Sequence, residues 1–365
     1  MEPLNLEENS AFYPVWNFIA VIAMKLLHSL DETAWNEFLL QHDEANVFLT
    51  PEMFAVFSNS RDYSPELWAV QSDDGRILAL FMPVFVYIHP GPLRYFSTRL
   101  ISYCSPIVEK SAEGEKAKQF LFESYARKNR RNALFTEIRP TTNLSKQDAA
   151  IRESGFSYYD YLNFIMPMNL TSDELSRRAA KSTRRQIQRA EKNRVFQVSK
   201  VEDLSGVHEV YELLIKTYRH ARVPLADISL FENAFQILHP RSMIHIFLFK
   251  HEGQNAAAHI DLTYKDIVFG WYGGSDRRYS KLNVSEYSYG YLLSHFNSKG
   301  FTQYDFGGAG RPEEKYGVRD HKAKFGGDLV NYGRYIKIHA PIRYHIGNAV
   351  YQTLRKIRGF FPSNH

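Results

Sequence analysis

Cysteine is almost absent: Cys104 stands alone in 365 residues, which excludes an internal disulfide and any cysteine-built metal cluster and suits a reducing compartment. Long hydrophobic runs are missing too. Val15 to Met24 is an apolar stretch of about ten residues, roughly half of what a spanning helix needs, and Glu2, Glu7 and Glu8 precede it where a secretory signal carries positive charge. Secretion is therefore not expected, and the cytoplasm is the default compartment. Met24-Lys25-Leu26 is a natural start for the fold. Residues 1–23 read as an upstream extension, with a segment that touches a membrane surface as the alternative. What is present describes a globular protein: 44% hydrophobic and 15% aromatic residues, enough chain for two domains, and a net charge of +5 that matters only where it is concentrated.

Helices and strands alternate along the chain. Asp31 opens a helix with Trp35, Phe38 and Leu39 on one face, and Thr50-Pro51-Glu52 has the cap and first-turn proline of another. Strands over Leu67–Val70 and Ile77–Ile88 flank an Asp-Gly turn at Gly75. A helix from Ala112 to Arg131 and a strand from Ala133 to Ile138 follow, and Gly155 to Met168 closes the half. The same order then returns. Helices over Val207–His220 and Leu230–Leu238 precede a hairpin turning at Gly253, a strand over Ile267–Trp271, a helix over Val284–Lys299 and a strand over Phe301–Phe306. Gly75 matches Gly253 and Phe135 matches Tyr304, which predicts two copies of one α/β (α+β) unit, 24–168 and 169–342, with mixed, mostly antiparallel sheets flanked by helices.

Charge is concentrated between the halves. Asp173 to Lys192 predicts one long helix, with Arg178, Lys181, Arg185, Arg189 and Lys192 along one face and Leu175, Ala179, Ile187 and Ala190 on the other. Such a basic rail suits phosphates rather than bases, since no aromatic side chain is interleaved for stacking; a merely solvated face is the alternative, and a non-catalytic polyanion-binding protein would need only this rail. No DNA partner is expected. Residues 343–365 form a second basic segment, with Ile346, Val350, Leu354 and Ile357 on one face beside Arg343, Arg355, Lys356 and Arg358. It suits a membrane surface or docking on the domain.

The richest stretch is Tyr304-Asp305-Phe306-Gly307-Gly308-Ala309-Gly310, followed by Tyr316-Gly317 and His321-Lys322-Ala323-Lys324-Phe325-Gly326-Gly327. A strand ending in glycines lets a ligand or a second backbone approach, with a carboxylate at Asp305 and cations at Lys322 and Lys324. Tyr272, Tyr304 and Tyr316 are candidates to line a channel. His259 and Asp261, alternating on one strand face, read as core or channel polar groups rather than a metal pair, because no third ligand has suitable spacing.

Arg184-Arg185-Gln186-Ile187-Gln188-Arg189-Ala190-Glu191-Lys192, Tyr304 to Gly308 and Lys322 to Gly327 resemble, in order and spacing, the FemAB-like transferases over roughly Met24 to Lys337. The resemblance implies two tandem GNAT-type acyltransferase folds. It implies transfer of an amino acid from aminoacyl-tRNA to an amine on a lipid-linked peptidoglycan precursor, or an acyl-CoA N-acyltransferase of the BioF2-like or CelD-like kind. No cofactor beyond such a co-substrate is implied. The lysine of the family's Phe-Lys-x-x-Phe-Gly pattern falls on Lys322, with His321 in place of the preceding phenylalanine. Lys322 then suits the developing oxyanion or a substrate phosphate, and Asp305 either accepts the proton of the attacking amine or orders the glycine loop. Gly307, Gly308, Tyr316, Lys324 and Phe325 would surround the substrates, and Arg185 and Arg189 would meet a polyanion. A CoA enzyme should carry a glycine-rich turn near Arg277-Arg278-Tyr279-Ser280-Lys281-Leu282; this turn has none, and its cations would have to serve instead.

Overall fold

The computed structural model describes residues 24–349 apart from 89–90, 129–131, 145–147 and 348. The expectations for residues 1–23, and most of those for 343–365, lie outside the described residues. The first half contains β1 (Met24–Leu27), α1 (Glu32–Leu40), α2 (Pro51–Asn59), β2 (Tyr63–Pro65), β3 (Trp68–Ser72), β4 (Ile77–Phe81), β5 (Val84–Val86), β6 (Arg99–Ser102), β7 (Ile107–Val108), α3 (Ala112–Arg127), β8 (Phe135–Ile138), α4 (Ala149–Glu153), β9 (Ser157–Tyr159) and β10 (Leu162–Pro167). The second contains α5 (Ser172–Arg178), α6 (Lys181–Lys192), β11 (Gln197–Lys200), α7 (Leu204–Ala221), α8 (Ile228–Leu238), β12 (Ile244–His251), β13 (Gln254–Tyr264), β14 (Ile267–Ser275), α9 (Val284–Ser298), β15 (Gln303–Gly308), α10 (Gly317–Ala323), β16 (Asp328–Asn331) and β17 (Arg334–Ile338). The caps expected from sequence are made. Asp31 accepts the N–H groups of Thr33 and Ala34, and Thr50 accepts that of Met53 behind Pro51.

The unit is duplicated. Among the described residues every ladder is antiparallel except β6–β8 and β14–β15, which occupy matching places after the hairpins β3–β4 and β12–β13. The second sheet is continuous, in the order β11-β12-β13-β14-β15-β10-β16. The first is split into β1-β3-β4-β7 and β2-β5-β6-β8-β17-β9. The long strand expected over Ile77–Ile88 is divided because Pro83 has no N–H to give a ladder, and β4 and β5 join different sheets on either side of it.

The halves also trade strands. β10, which the sequence assigns to the first half, lies between β15 and β16, while β17 lies between β8 and β9. Where the two connections cross, the Gly333 N–H donates to the Tyr161 carbonyl at 3.1 Å and the Tyr161 N–H to Asn331 Oδ1 at 3.1 Å. Gly333 has φ +64°, and a Cβ there would stand 2.2 Å from the Tyr158 ring, so only glycine fits.

Five layers result. Trp68, Phe81, Phe122 and Tyr125 fill the space under α3. Phe249, Leu292, Phe296 and Phe306 fill that under α9. Between the sheets α1, α2, α7 and α8 share one core that includes Phe48, Met53, Leu213, Phe231 and Ile260, and each such side chain buried contributes about 2 kcal/mol.

The helix expected over 173–192 is two helices. Ala179 is extended (φ −65°, ψ 142°), which frees the Ala180 N–H for the Lys324 carbonyl at 2.9 Å and lets Arg178 pair with Asp328 at 3.3 Å. Alanine favours helix on either side of such a break, so tertiary bonds decide it. α6 then packs Ile187 on Gly290 of α9, where a Cβ would come within 2.8 Å of Ile187 Cδ1. No helix among the described residues is long and apolar enough to cross a membrane.

Candidate active site

Strand alternation aims β15. Tyr304 and Phe306 turn into the core under α9, so Asp305 faces the layer between the two sheets. The parallel ladder between β14 and β15 ends at the pair Phe269↔Asp305, its third rung, and the strands form no ladder beyond it. A bulge helps to part them: Ile260 pairs with Tyr272 and Asp261 with Gly270, which leaves Trp271 as the extra residue. Asp305 thus stands where two central strands separate. It also borders a cavity of about 30 Å³ lined by both halves, including Asn46, Phe48, Thr141, Leu262 and Phe269. That volume admits a water or two rather than a substrate group.

Asp305 is 2% exposed. Its Oδ1 accepts the Gly307 N–H at 2.6 Å, and the Asn163 amide donates to the same carboxylate. Burial pushes its carboxyl up to about 6, against the pull of the Gly307 N–H, the Lys322 charge and Asn163. Lys322 projects from α10 and is 7% exposed, and its Nζ donates to the Gly308 carbonyl at 2.8 Å. Burial pulls its ammonium down to about 8, and Asp305 opposes this. An acid and a base, both desolvated, are thus held on either side of neutrality at one strand end.

The opposite face of the sheet carries a second polar group. Asp261 is fully buried, accepts the Tyr304 hydroxyl at 2.6 Å, and has its other oxygen without a partner. Burial raises its carboxyl to about 7. His259 shares a 2.9 Å hydrogen bond with the Ser288 hydroxyl, and burial holds its imidazolium down to about 3, so the ring is neutral.

Of the residues singled out by sequence, Asp305, Gly307, Gly308 and Lys322 come together. Tyr316 starts α10, packs over Gly310, and lies with Tyr161 and Tyr218 on the side facing the first half. Tyr272 hydrogen-bonds Tyr63 across the halves. Four expectations need correction. Tyr304 does not line a channel, because its ring is core under α9 and its hydroxyl belongs to Asp261. Phe325 is 1% exposed and stacks on Phe306 at 6.0 Å, again as core. Lys324 turns away to Glu286 of α9 at 3.1 Å. The rail is shorter than expected, since Arg178 is taken by Asp328, while Lys181, Arg185, Arg189 and Lys192 stay exposed on α6.

Sequence reasoning missed Asn163, which reaches Asp305 only because β10 crosses into the second sheet. It also missed Arg334, which lies over the Tyr161 ring at 3.4 Å, and the Glu137 cluster to which Arg334 belongs. Strand alternation alone could have separated Tyr304 from Asp305.

Known proteins share this fold. Residues 177–322 match the family profile of the acetyltransferase (GNAT) domain. No curated protein sequence matches the chain. FemX superposes with TM-score 0.67 and 16% identity, covering 88% of this chain and 99% of its own. The structure of L-PGS from Bacillus licheniformis gives TM-score 0.54 and 13% identity over 85% of this chain and 92% of that one. A tandem GNAT protein from the clavulanic acid biosynthesis pathway gives 0.52 and 9% over 87% and 99%. Residues 177–322 thus belong to the acetyltransferase (GNAT) domain family, and the chain shares the fold of these structures. The likeness to FemX extends over both halves of the chain and is one of fold.

Proposed function

We propose that this protein is an N-acyltransferase that moves an aminoacyl or acyl group from an activated ester or thioester to an amine of a cell-wall or glycan precursor. The observation that carries the reading is the buried Asp305–Lys322 pair at the place where β14 and β15 part. The acceptor's ammonium gives one proton to the Asp305 carboxylate, and the free amine attacks the carbonyl. As the C–N bond forms and the C–O or C–S bond breaks, the second N–H proton leaves with the departing oxygen or sulfur. Lys322 supplies positive charge to the oxyanion or to a substrate phosphate. The Gly307 N–H bond to Asp305 also orders the glycine loop, so one carboxylate serves both roles first considered for it.

An aminoacyl ester of tRNA suits the donor better than CoA. The turn before α9 is a 3-10 helix over Arg277–Leu282 in which Arg278 is already paired with Asp276 at 2.8 Å, and Asn283 caps α9 without a side-chain bond. Without glycines its backbone cannot approach a pyrophosphate as closely as a glycine-rich turn does, although the first N–H groups of α9 are left uncapped. The exposed cations of α6 offer a track for tRNA phosphates instead. A lipid-linked acceptor, met at the inner membrane face, is in keeping with likenesses to FemX and to the L-PGS structure.

Mass spectrometry of cell-wall and glycan precursors from cells with the gene deleted, and complemented by wild type or Lys322→Ala, tests the reading. A precursor that loses the mass of one acyl or aminoacyl group on deletion, regained only with wild type, is expected. Unchanged precursors would refute it.

A further inference from the structure

One face of the first sheet carries more positive charge than it can neutralise. Tyr63 of β2 pairs with Val86 of β5, and Val86 with Arg99 of β6, so these side chains share a face. Ile101, two residues beyond Arg99, pairs with Glu137 of β8, which brings Glu137 and then Arg139 onto that face as well. The face is opposite to the one under α3 and looks towards the second half, since Tyr272 bonds Tyr63 there.

Glu137 is already satisfied. Its Oε1 accepts from Arg139 Nε and from Arg334 Nη1, the latter at 2.9 Å, and its Oε2 accepts the Tyr159 hydroxyl at 2.8 Å. Burial works to raise its carboxyl, yet the two guanidiniums and these bonds hold it at about 2. It is ionised, and its single negative charge is already shared by two guanidiniums. Arg99 has no carboxylate of its own among the described residues: no ion pair there involves it, and its Nε is buried without a hydrogen-bond partner. Burial, and then the neighbouring Arg139 charge, lower its guanidinium from the ordinary value. Arg139 stacks towards the Tyr103 ring, 5.7 Å from its centroid, beside Arg99. Three guanidiniums and one carboxylate leave an excess of two positive charges in a partly desolvated place. Arg99 and Arg139 are half-buried, and a cation partly desolvated without a partner costs stability rather than adding to it.

We propose that Arg99 and Arg139 form a binding site for a phosphate or diphosphate dianion, in the space between the two halves. The excess charge matches a dianion rather than a carboxylate, and planar guanidiniums bind phosphate oxygens in pairs. The hydroxyls of Tyr63 and Tyr103 border the site and can donate to the remaining oxygens. The cluster adjoins the strand end that carries Lys322, because Arg334 lies beside Gly308, whose carbonyl Lys322 holds, but the proposal does not depend on the acyl-transfer reading.

The test is isothermal titration calorimetry at fixed ionic strength with inorganic pyrophosphate, inorganic phosphate and acetate, on wild type, Arg99→Met, Arg99→Lys and the double variant Arg185→Gln/Arg189→Gln. Wild type and the double variant should bind pyrophosphate or phosphate with equal affinity and acetate far more weakly. Arg99→Met should bind at least ~10-fold more weakly, as expected for losing hydrogen bonds to a charged group, and Arg99→Lys should fall between. Thermal unfolding gives a second readout. Without anion, Arg99→Met should melt no lower than wild type, since it removes an unpaired charge, and pyrophosphate should raise the midpoint of wild type but not of the variant. Equal pyrophosphate affinity in wild type and Arg99→Met would overturn the proposal. So would loss of binding in the α6 double variant, tighter binding of acetate, or an anion-free Arg99→Met that is less stable than wild type. If Arg99→Met does not fold, Arg99→Lys binding as tightly as wild type overturns it.

Discussion

Replacing Lys322 by Met removes a buried charge while keeping an unbranched chain of similar length. The ammonium is 7% exposed, and its fall from 10.5 to about 8 means that the native state disfavours the charged form by about 3 kcal/mol. The sign is fixed by proton binding. As pH rises past about 8 the native state gives up this proton, while the unfolded chain keeps it to 10.5, so the unfolded state binds more protons and wild-type stability climbs across that window. Below about 8 the whole penalty is present. Lys322→Met escapes the penalty at pH 7 but leaves the Gly308 carbonyl without its 2.8 Å donor, a loss of roughly 1 to 3 kcal/mol. The two effects nearly cancel, so stability at pH 7 should stay within about 2 kcal/mol of wild type, while turnover drops by roughly 100-fold. Urea unfolding of both proteins at pH 7, 8, 9 and 10 isolates the effect, because every other titrating group is common to both. The wild-type minus variant difference should rise by about 3 kcal/mol towards pH 10. Parallel curves would show that Lys322 keeps an ordinary ammonium, and the electrostatic account of the site would fail with it.

Turnover should be bell-shaped in pH, falling below about 6 as Asp305 takes up a proton and above about 8 as Lys322 loses one; a profile flat from 5 to 9 would remove both from the chemistry. Asp261→Asn keeps an oxygen for the Tyr304 hydroxyl. Because the Asp261 carboxyl is raised from 3.8 to about 7, the unfolded chain ionises first and wild type loses about 4 kcal/mol of stability as pH climbs through that window, a loss absent from the variant in parallel chemical denaturation. Gly333→Ala should cost about 3 kcal/mol or more in the same assay, since its Cβ would meet the Tyr158 ring at 2.2 Å with φ at +64°. Arg185→Gln/Arg189→Gln should reduce the slope of log K against log salt for bulk tRNA by roughly 1.5 to 2, as for two lost phosphate contacts, and an unchanged slope would make α6 a merely solvated face.

Local rules located most elements. The caps at Asp31 and Thr50, the turns at Gly75 and Gly253, and the glycine-rich end of β15 are set by residues within a few positions of one another, so the duplicated unit could be read directly. Partner choice could not. Period-two alternation says that Leu162–Pro167 is a strand and nothing about which edge receives it, so the exchange of β10 and β17 stayed hidden, and with it the approach of Asn163 to Asp305. The break at Ala179 escaped notice because its cause, the Lys324 carbonyl, lies far along the chain. The cationic face of the first sheet was invisible for the same reason: Arg99, Glu137 and Arg334 have no sequence proximity, and only the ladders align them.

The exchanged strands also govern when the molecule can be finished. A chain emerging from its N-terminus can build β8 and β9 early, but the slot between them waits for β17, which is made near the end of the described chain. Until then two edges with unpaired backbone groups stand open, the kind of surface on which chains associate wrongly. The first half therefore cannot mature as a co-translational unit. Separately expressed halves divided after residue 168 would each offer one strand and need another, so they should be insoluble alone and recover only when made together.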